Sequence, residues 1–225
     1  MAAYYALVHP AERVTLFAYQ PTQSGLRGFL AVARIGLDLF RPLAIPFVGQ
    51  AAGLTELLRA ALRPGRPVVL QLPVEQRPWA QEVVEITDVR PVELFRFDMK
   101  RHKPVVNVLV VESQSPSGWP RYEIHTADGS VAAAGLNWKG PRFAEIYLDL
   151  DPKARGRGLG ASVLAAITQR LIGERISPLY RVGDDDLSLR AEVEGLGFHP
   201  TGIHTITCQA VLRTQTIAAP ARSPS

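Results

Sequence analysis

The sequence predicts a mixed α/β chain of the α+β type, arranged as two similar halves. Three observations predict it. Segments rich in β-branched and aromatic residues alternate with stretches whose apolar residues recur at helical spacing. The order of these segments in the first half returns in the second. Apolar residues make up 47% of the 225-residue chain and charged residues 20%, a balance that supplies a core and argues against wholesale disorder.

In the first half, "AERVTLFAYQ" and "GFLAVARIGLDLFRPLAIPFV" read as strands. "GLTELLRAALR" follows as a helix, with Leu54, Leu57, Leu58, Ala61 and Leu62 on one face, and "PGRP" stops it. "VVLQL" is a short buried strand. "VEQRPWAQEVVEI" is expected to form a second helix beginning near Pro78, and "RPVELFRFD" closes the half as a strand.

The second half opens with strands at "VVNVLVVE", "RYEIHTA" and "SVAAAGLNW", the last two joined by a turn at Asp128-Gly129. "AEIYLDL" is another strand. A glycine-rich loop leads into a helix with Leu159, Val163, Leu164, Ile167 and Leu171 on one face. "PLYRV" is a strand, "DDDLSLRAEVEGLGF" a helix capped by Asp184, Asp185 or Asp186, and "HTITCQAVL" the last strand. At an offset of about 111 residues Pro67 falls on Pro178, Leu70 on Arg181 and Val92 on Ile203. The expected domains are therefore 1–98 and 104–215, joined near 99–104, with a flexible small-residue tail at 216–225.

Composition excludes several classes of function. The net charge is only +4 despite a pI near 9.5, and the densest basic run is Lys100 to Lys103, too short to track a phosphate backbone. No nucleic-acid partner is expected. A lone cysteine, Cys208, rules out an intrachain disulfide and a multi-cysteine zinc site, and its alternating surroundings read as a buried strand. No signal peptide and no membrane-spanning run is expected, which makes the cytoplasm the simplest compartment. A homodimer is compatible with the sequence.

The most informative stretch is "DPKARGRGLGASVLAAITQRL", Asp151 to Leu171. A glycine loop between a strand and a helix places bare backbone N–H groups at the positive end of the helix, where an anion is favoured. Arginines beside it add charge-assisted hydrogen bonds. The loop suits a pyrophosphate. It ends in Gly160-Ala161-Ser162, without the lysine of a nucleoside-triphosphate loop, and it lacks the third glycine of the dinucleotide fingerprint. What it does spell is Arg-x-x-Gly-x-Gly, through Arg155, Gly158 and Gly160.

Here the sequence resembles the GNAT acetyltransferase superfamily, in the manner of its glycine N-acyltransferase-like branch. The resemblance runs from Ala144 to Phe198 and ends in the habitual Leu-Gly-Phe of Leu196, Gly197 and Phe198. It implies a central, mostly antiparallel sheet flanked by helices, in two tandem copies. It implies acetyl-coenzyme A, or another acyl-coenzyme A, as donor substrate, an amine of a small molecule or peptide as acceptor, and no metal. The strand "EIYLDL" would offer backbone groups of Leu148 and Leu150 to the pantetheine arm. The amides of Gly156, Arg157, Gly158, Leu159 and Gly160 would hold the pyrophosphate, with Arg155 and Arg157 beside it. Asp186 stands where relatives have an asparagine. The first half, with Ala44, Phe47 and Gly49 at the loop positions, reads as a degenerate copy.

Acyl transfer to an amine requires a base, a polarised thioester carbonyl and a tolerable leaving group. The resemblance places a general base at Glu145, acting directly or through water; an edge-strand salt bridge is the alternative. Glu145 shares a strand face with Tyr147 and Asp149. The tyrosine that often protonates the leaving thiolate is replaced by Val193, and Tyr180 and Tyr147 are the candidate substitutes. A non-catalytic acetyl-coenzyme A binding module is the alternative function.

Overall fold

Alternating apolar positions draw the chain into eleven strands among the described residues, with five α-helices between them. The computed structural model describes residues 2–21, 25–35, 40–101, 109–116, 118–129 and 131–214. In chain order the elements are α1 (Ala2–Leu7), β1 (Val14–Tyr19), β2 (Gly28–Ala33), β3 (Leu43–Val48), α2 (Ala51–Ala61), β4 (Val68–Pro73), α3 (Arg77–Gln81) and β5 (Val84–Phe97). Then follow β6 (Val111–Gln114), β7 (Pro120–His125), β8 (Val131–Lys139), β9 (Phe143–Leu150), α4 (Leu159–Gly173), β10 (Ser177–Gly183), α5 (Leu187–Gly195) and β11 (Phe198–Leu212).

These elements pack into two compact units. One holds the described residues up to Arg90 and from Ile206 onward; the other runs from Pro91 to Thr205. Strands β5 and β11 are long enough to contribute residues to both.

In the first unit β1, β2 and β3 pair antiparallel, and β3 meets β4 in parallel at Leu43–Val69 and Ala44–Leu70. The end of β11 lies beside β4. The apolar face of α2 buries Leu54, Leu57 and Leu58 in a core with Tyr19, Leu30, Leu70 and Leu72. Cys208 lies in that core with its thiol on the Leu70 carbonyl, and burial pushes the thiol up to about 11.

In the second unit the order is β5-β10-β9-β8-β7-β6, antiparallel throughout except for the parallel pair β9–β10. Val163, Leu164, Ile167 and Leu171 of α4 share a core with Ala132, Ala134 and Ile146 of the sheet. Val193 of α5, Phe95 and Phe198 complete that core. The aromatic pair Phe97–Phe198 meets edge to face at 5.2 Å, the arrangement that ring quadrupoles favour.

Some elements differ from the sequence-based expectation. The helix expected through "VEQRPWAQEVVEI" shrinks to a 3₁₀ turn at Val74–Gln76 and the single turn of α3. Val83, Val84 and Ile86 are β-branched, and Val84 and Ile86 join β5 instead of the helix. Helix α1 was not expected. It is a short N-terminal piece holding Tyr4 and Tyr5 in edge-to-face contact at 5.0 Å. Of the strand expected at 105–112, only its end lies in β6; residues 102–108 and the tail at 216–225 lie outside the described residues.

Candidate active site

The two strands that frame the site separate partway along their length. Strands β9 and β10 pair from Phe143–Ser177 to Ile146–Tyr180, and there the ladder stops. Strand β10 continues to Gly183 on its other neighbour, β5, and β9 continues to Leu150 on β8. Beyond Ile146 the edge of β9 facing β10 has no ladder partner among the described pairings. The backbone of Leu148 and Leu150 lies on this stretch, with their side chains turned toward Gly160.

Residues 151–158 join this stretch to α4. Asp151 starts a 3₁₀ turn and accepts the Lys153 N–H at 2.9 Å. The chain then turns twice through the left-handed region, at Gly156 (φ 71°) and at Gly158 (φ 72°), the N-cap of α4. A side chain at either position is strained in that conformation. No side chain caps α4 from Gly158, and open space surrounds both glycines. Arg155 is exposed; Arg157 is directed to Asp128 on the β7–β8 turn, 3.1 Å from its carboxylate. Gly160 has a different role. A Cβ there would stand 3.1 Å from Glu192 Oε1 and 3.3 Å from Leu148 Cδ2, so glycine permits the close approach of α5 and β9 to the first turn of α4.

Glu145 is buried at the last turn of the ladder, only 2% exposed. Its Oε1 accepts from Asn137 Nδ2 at 2.8 Å and from Arg181 Nε at 3.0 Å, with a second bond from the same guanidinium. Its Oε2 accepts from the Trp138 indole at 2.8 Å. A β-bulge between Leu136 and Trp138 turns Asn137 and Trp138 onto this carboxylate. Four N–H donors thus hold Glu145, and only Oε2 retains an acceptor position. Arg181, Asn137 and Trp138 were not picked out from sequence. An arginine inside the apolar strand "PLYRV" is the signal that would have pointed to a buried partner.

On the same sheet face the Tyr147 ring lies across Gly135, where a Cβ would stand 2.6 Å from the phenolic oxygen. Arg121 donates to that oxygen at 2.8 Å and also bonds Glu123, whose carboxyl it holds below the usual range. Asp149 is mostly exposed. On α5, Asp186 acts as N-cap and accepts the Leu189 N–H at 2.9 Å. Val193 is fully buried in the core. Tyr180 is buried against Phe198, and burial, then the charges of Glu192 and Asp186, raise its phenol well above the ordinary 10.0. It therefore stays protonated across the physiological range.

Among the described residues no cluster of three or more His, Cys, Asp or Glu side chains is set to hold a metal ion, and no helix is long and apolar enough to cross a membrane.

No protein-family profile and no curated protein matches the sequence. Solved structures do match. A GNAT-family structure from Novosphingobium aromaticivorans superposes with a TM-score of 0.63 at 18% identity, over 82% of this chain and 89% of that one. A Drosophila protein reaches a TM-score of 0.67 at 16% identity, over 89% and 80%. A tandem GNAT protein from the clavulanic acid biosynthesis pathway gives 0.56 at 14%, over 92% and 86%. The chain has the GNAT fold: a mixed sheet flanked by helices, of the α+β class. At these identities the likeness is one of fold.

Proposed function

We propose that the second unit binds acetyl-coenzyme A, or a related acyl-coenzyme A, and transfers the acyl group to an amine. The observation that carries this reading is the parallel ladder ending at Ile146–Tyr180 beside a loop with two left-handed glycines, the second of them the N-cap of α4. An unpaired strand edge offers hydrogen bonds to the amides of a pantetheine arm. The N–H groups from Gly156 to Gly160, at the amino end of α4, suit its diphosphate. Arg155 stands free to face that diphosphate, whereas Arg157 must first leave Asp128.

In the transfer, the acceptor nitrogen attacks the thioester carbonyl, a C–N bond forms, the C–S bond breaks, and the amine's proton must be removed. A base role for Glu145 runs through Oε2 and a water, because Oε1 is filled by Asn137 and Arg181. No phenol stands at Val193. A thiol has a pKa near 8.5, so the thiolate is a tolerable leaving group without a dedicated acid.

The first half fits a degenerate copy, with the division at 1–98 and 104–215 that the repeated element order supports. Strand β3 is followed by Gly49 and Gln50 alone before α2 begins, so Ala44 and Phe47 lie in a strand and no phosphate loop exists there. The acceptor is an amine of a small molecule or peptide, and the setting is the cytoplasm. The test is direct: protein, acetyl-coenzyme A and a panel of amines, with free thiol followed in time. Amine-dependent thiol release supports the reading. Tight coenzyme binding with no release by any amine leaves a binding module in its place.

A further inference from the structure

Glu192 stands in the framework of the coenzyme site, and no motif of the loop announces it. It lies on α5 one residue before the buried Val193, half-buried, with its side chain turned toward α4. Its Oε1 reaches to 3.1 Å of the point where a Gly160 Cβ would stand, and Leu148 Cδ2 and Leu150 Cδ2 approach that point to 3.3 and 3.5 Å. The carboxylate therefore lies over the first turn of α4, beside the stretch of β9 that has left its ladder. There the backbone N–H of Ala161 is close enough to favour its charged form. That group belongs to the first helical turn and has no intrahelical acceptor.

The surroundings make this an uneasy place for a negative charge. Leu148 and Leu150 face it from β9, the Gly160–Ala161 backbone from α4, the Tyr180 phenol from β10, and Asp186 from the start of its own helix. Burial first, and then Asp186, raise the carboxyl of Glu192 above its ordinary value, and the Ala161 N–H offsets only part of that.

The coenzyme reading, on which this inference rests, assigns the same helix end to a diphosphate. We propose that Glu192 is an internal anion that occupies the amino end of α4 in the free protein and takes up a proton when the coenzyme diphosphate binds there. Two anions do not share one helix end without cost. The protonated carboxyl removes that repulsion and can remain in place as a hydrogen-bond donor to a phosphate oxygen. Coenzyme binding is then coupled to proton uptake at a residue outside the glycine loop.

The sign follows from linkage. A ligand that raises the proton affinity of Glu192 binds best where the group is already protonated. Affinity therefore falls as pH rises through the carboxyl's value in the free protein, which lies above 4.5, and levels off above its value in the complex. The fall is at most about tenfold for each unit by which the ligand shifts the group.

The test uses the full chain and coenzyme A, titrated by calorimetry from pH 5.5 to 8.5, with wild type beside Glu192→Gln. Glutamine keeps the shape but carries no charge. Ionisation of the ligand's own phosphates affects both proteins alike, so the difference between them is the readout. The variant is expected to bind about tenfold tighter at pH 8, with its gap to wild type narrowing toward the acid end. Repeating the wild-type titration in two buffers of different ionisation enthalpy should show proton uptake that the variant lacks. Glu192→Ala, which removes the charge by another route, should move affinity in the same direction. Parallel curves for wild type and both variants would overturn the proposal. Coenzyme binding to none of them would overturn the coenzyme reading itself, and this inference with it.

Discussion

Glu145 and Arg181 are joined across β9 and β10 at the point where these strands part. The Glu145 carboxylate accepts from the Arg181 guanidinium, with Oε1 3.0 Å from Nε, and the last rung of the ladder between the strands is Ile146–Tyr180. An ion pair at this place fixes the two strands at the mouth of the opening. It is nearly fully buried on the carboxylate side. Breaking such a pair by removing one partner costs more than the pair itself contributes, because the other charge stays buried. Arg181→Met is therefore expected to destabilise the protein by about 3–5 kcal/mol. Urea denaturation checks this. A loss below about 1 kcal/mol would mean that Trp138 and Asn137 satisfy the carboxylate alone.

The glycine loop makes a second prediction. Gly158 has φ 72° and open space around it, so a small side chain costs conformational strain but no clash. Gly158→Ala should cost about 1–2 kcal/mol of stability and leave the chain folded. Gly158→Asp adds a negative charge at the amino end of α4, where coenzyme phosphate is proposed. Calorimetry should show coenzyme A binding abolished in the aspartate variant and only weakened in the alanine variant. Equal binding in all three proteins would remove the diphosphate from this loop.

How much of this was legible in the sequence depends on the range of the forces involved. Strand β9, the loop, α4, β10 and α5 were readable, because alternation, helical spacing and left-handed glycines are local properties. A cap for α5 was legible among Asp184, Asp185 and Asp186 for the same reason, and the structure gives it to Asp186. The surroundings of Glu145 were not. Its donors come from Asn137 and Trp138 on β8 and Arg181 on β10, and only the bulge after Leu136 and the parallel register bring them together. Glu192 likewise reads as a solvated helix position until α5 is packed against Gly160. The helix expected after Pro78 failed for a related reason: pairing drew Val84 and Ile86 into β5 over a weak helical pattern.

Glu145→Gln separates catalysis from architecture. Glutamine keeps the volume but cannot act as a base, and it presents an N–H₂ toward donors. A drop in melting temperature is expected on packing grounds alone. If Glu145 also passes the acceptor's proton through Oε2, turnover measured well below the melting temperature should fall about 10²–10⁴-fold, with coenzyme affinity nearly unchanged. Turnover within a factor of a few of wild type would assign Glu145 to holding the strands only.

Stability toward acid should carry the mark of Glu174. Lys139 at 2.6 Å and Arg170 at 2.8 Å both bond its carboxyl and hold it below its ordinary 4.5, against the opposing effect of burial. A carboxyl whose folded value is depressed stabilises the protein above the unfolded value, and that contribution is lost as pH falls through the folded one. The tie joins the end of β8 to the end of α4. Glu174→Gln should therefore lower the melting temperature at pH 7 and narrow its gap to wild type as pH falls below about 4.5. A gap independent of pH would show that packing, not charge, is what the substitution removes.

The last prediction concerns the missing phenol. The family that the sequence resembles often has a tyrosine where this chain has Val193, which invites the idea that Val193→Tyr would restore an acid and raise the rate. The structure argues otherwise. Val193 is fully buried in the core that holds Phe198, Leu196 and Val163. Interiors are close-packed, and inserting a ring where a valine sits forces side chains off their rotamers. The cost of overpacking is typically about 1–3 kcal/mol and more for so large a change, and a buried hydroxyl without a partner adds to it. Val193→Tyr is therefore expected to lower the melting temperature by several degrees and to leave the rate no higher than wild type. The conservative control is Val193→Ile, which adds one methylene and should retain wild-type turnover with a small loss of stability. Melting curves and steady-state rates on the three proteins decide the matter. A tyrosine variant that is as stable as wild type and faster would place residue 193 in the opening between β9 and β10 rather than in the core.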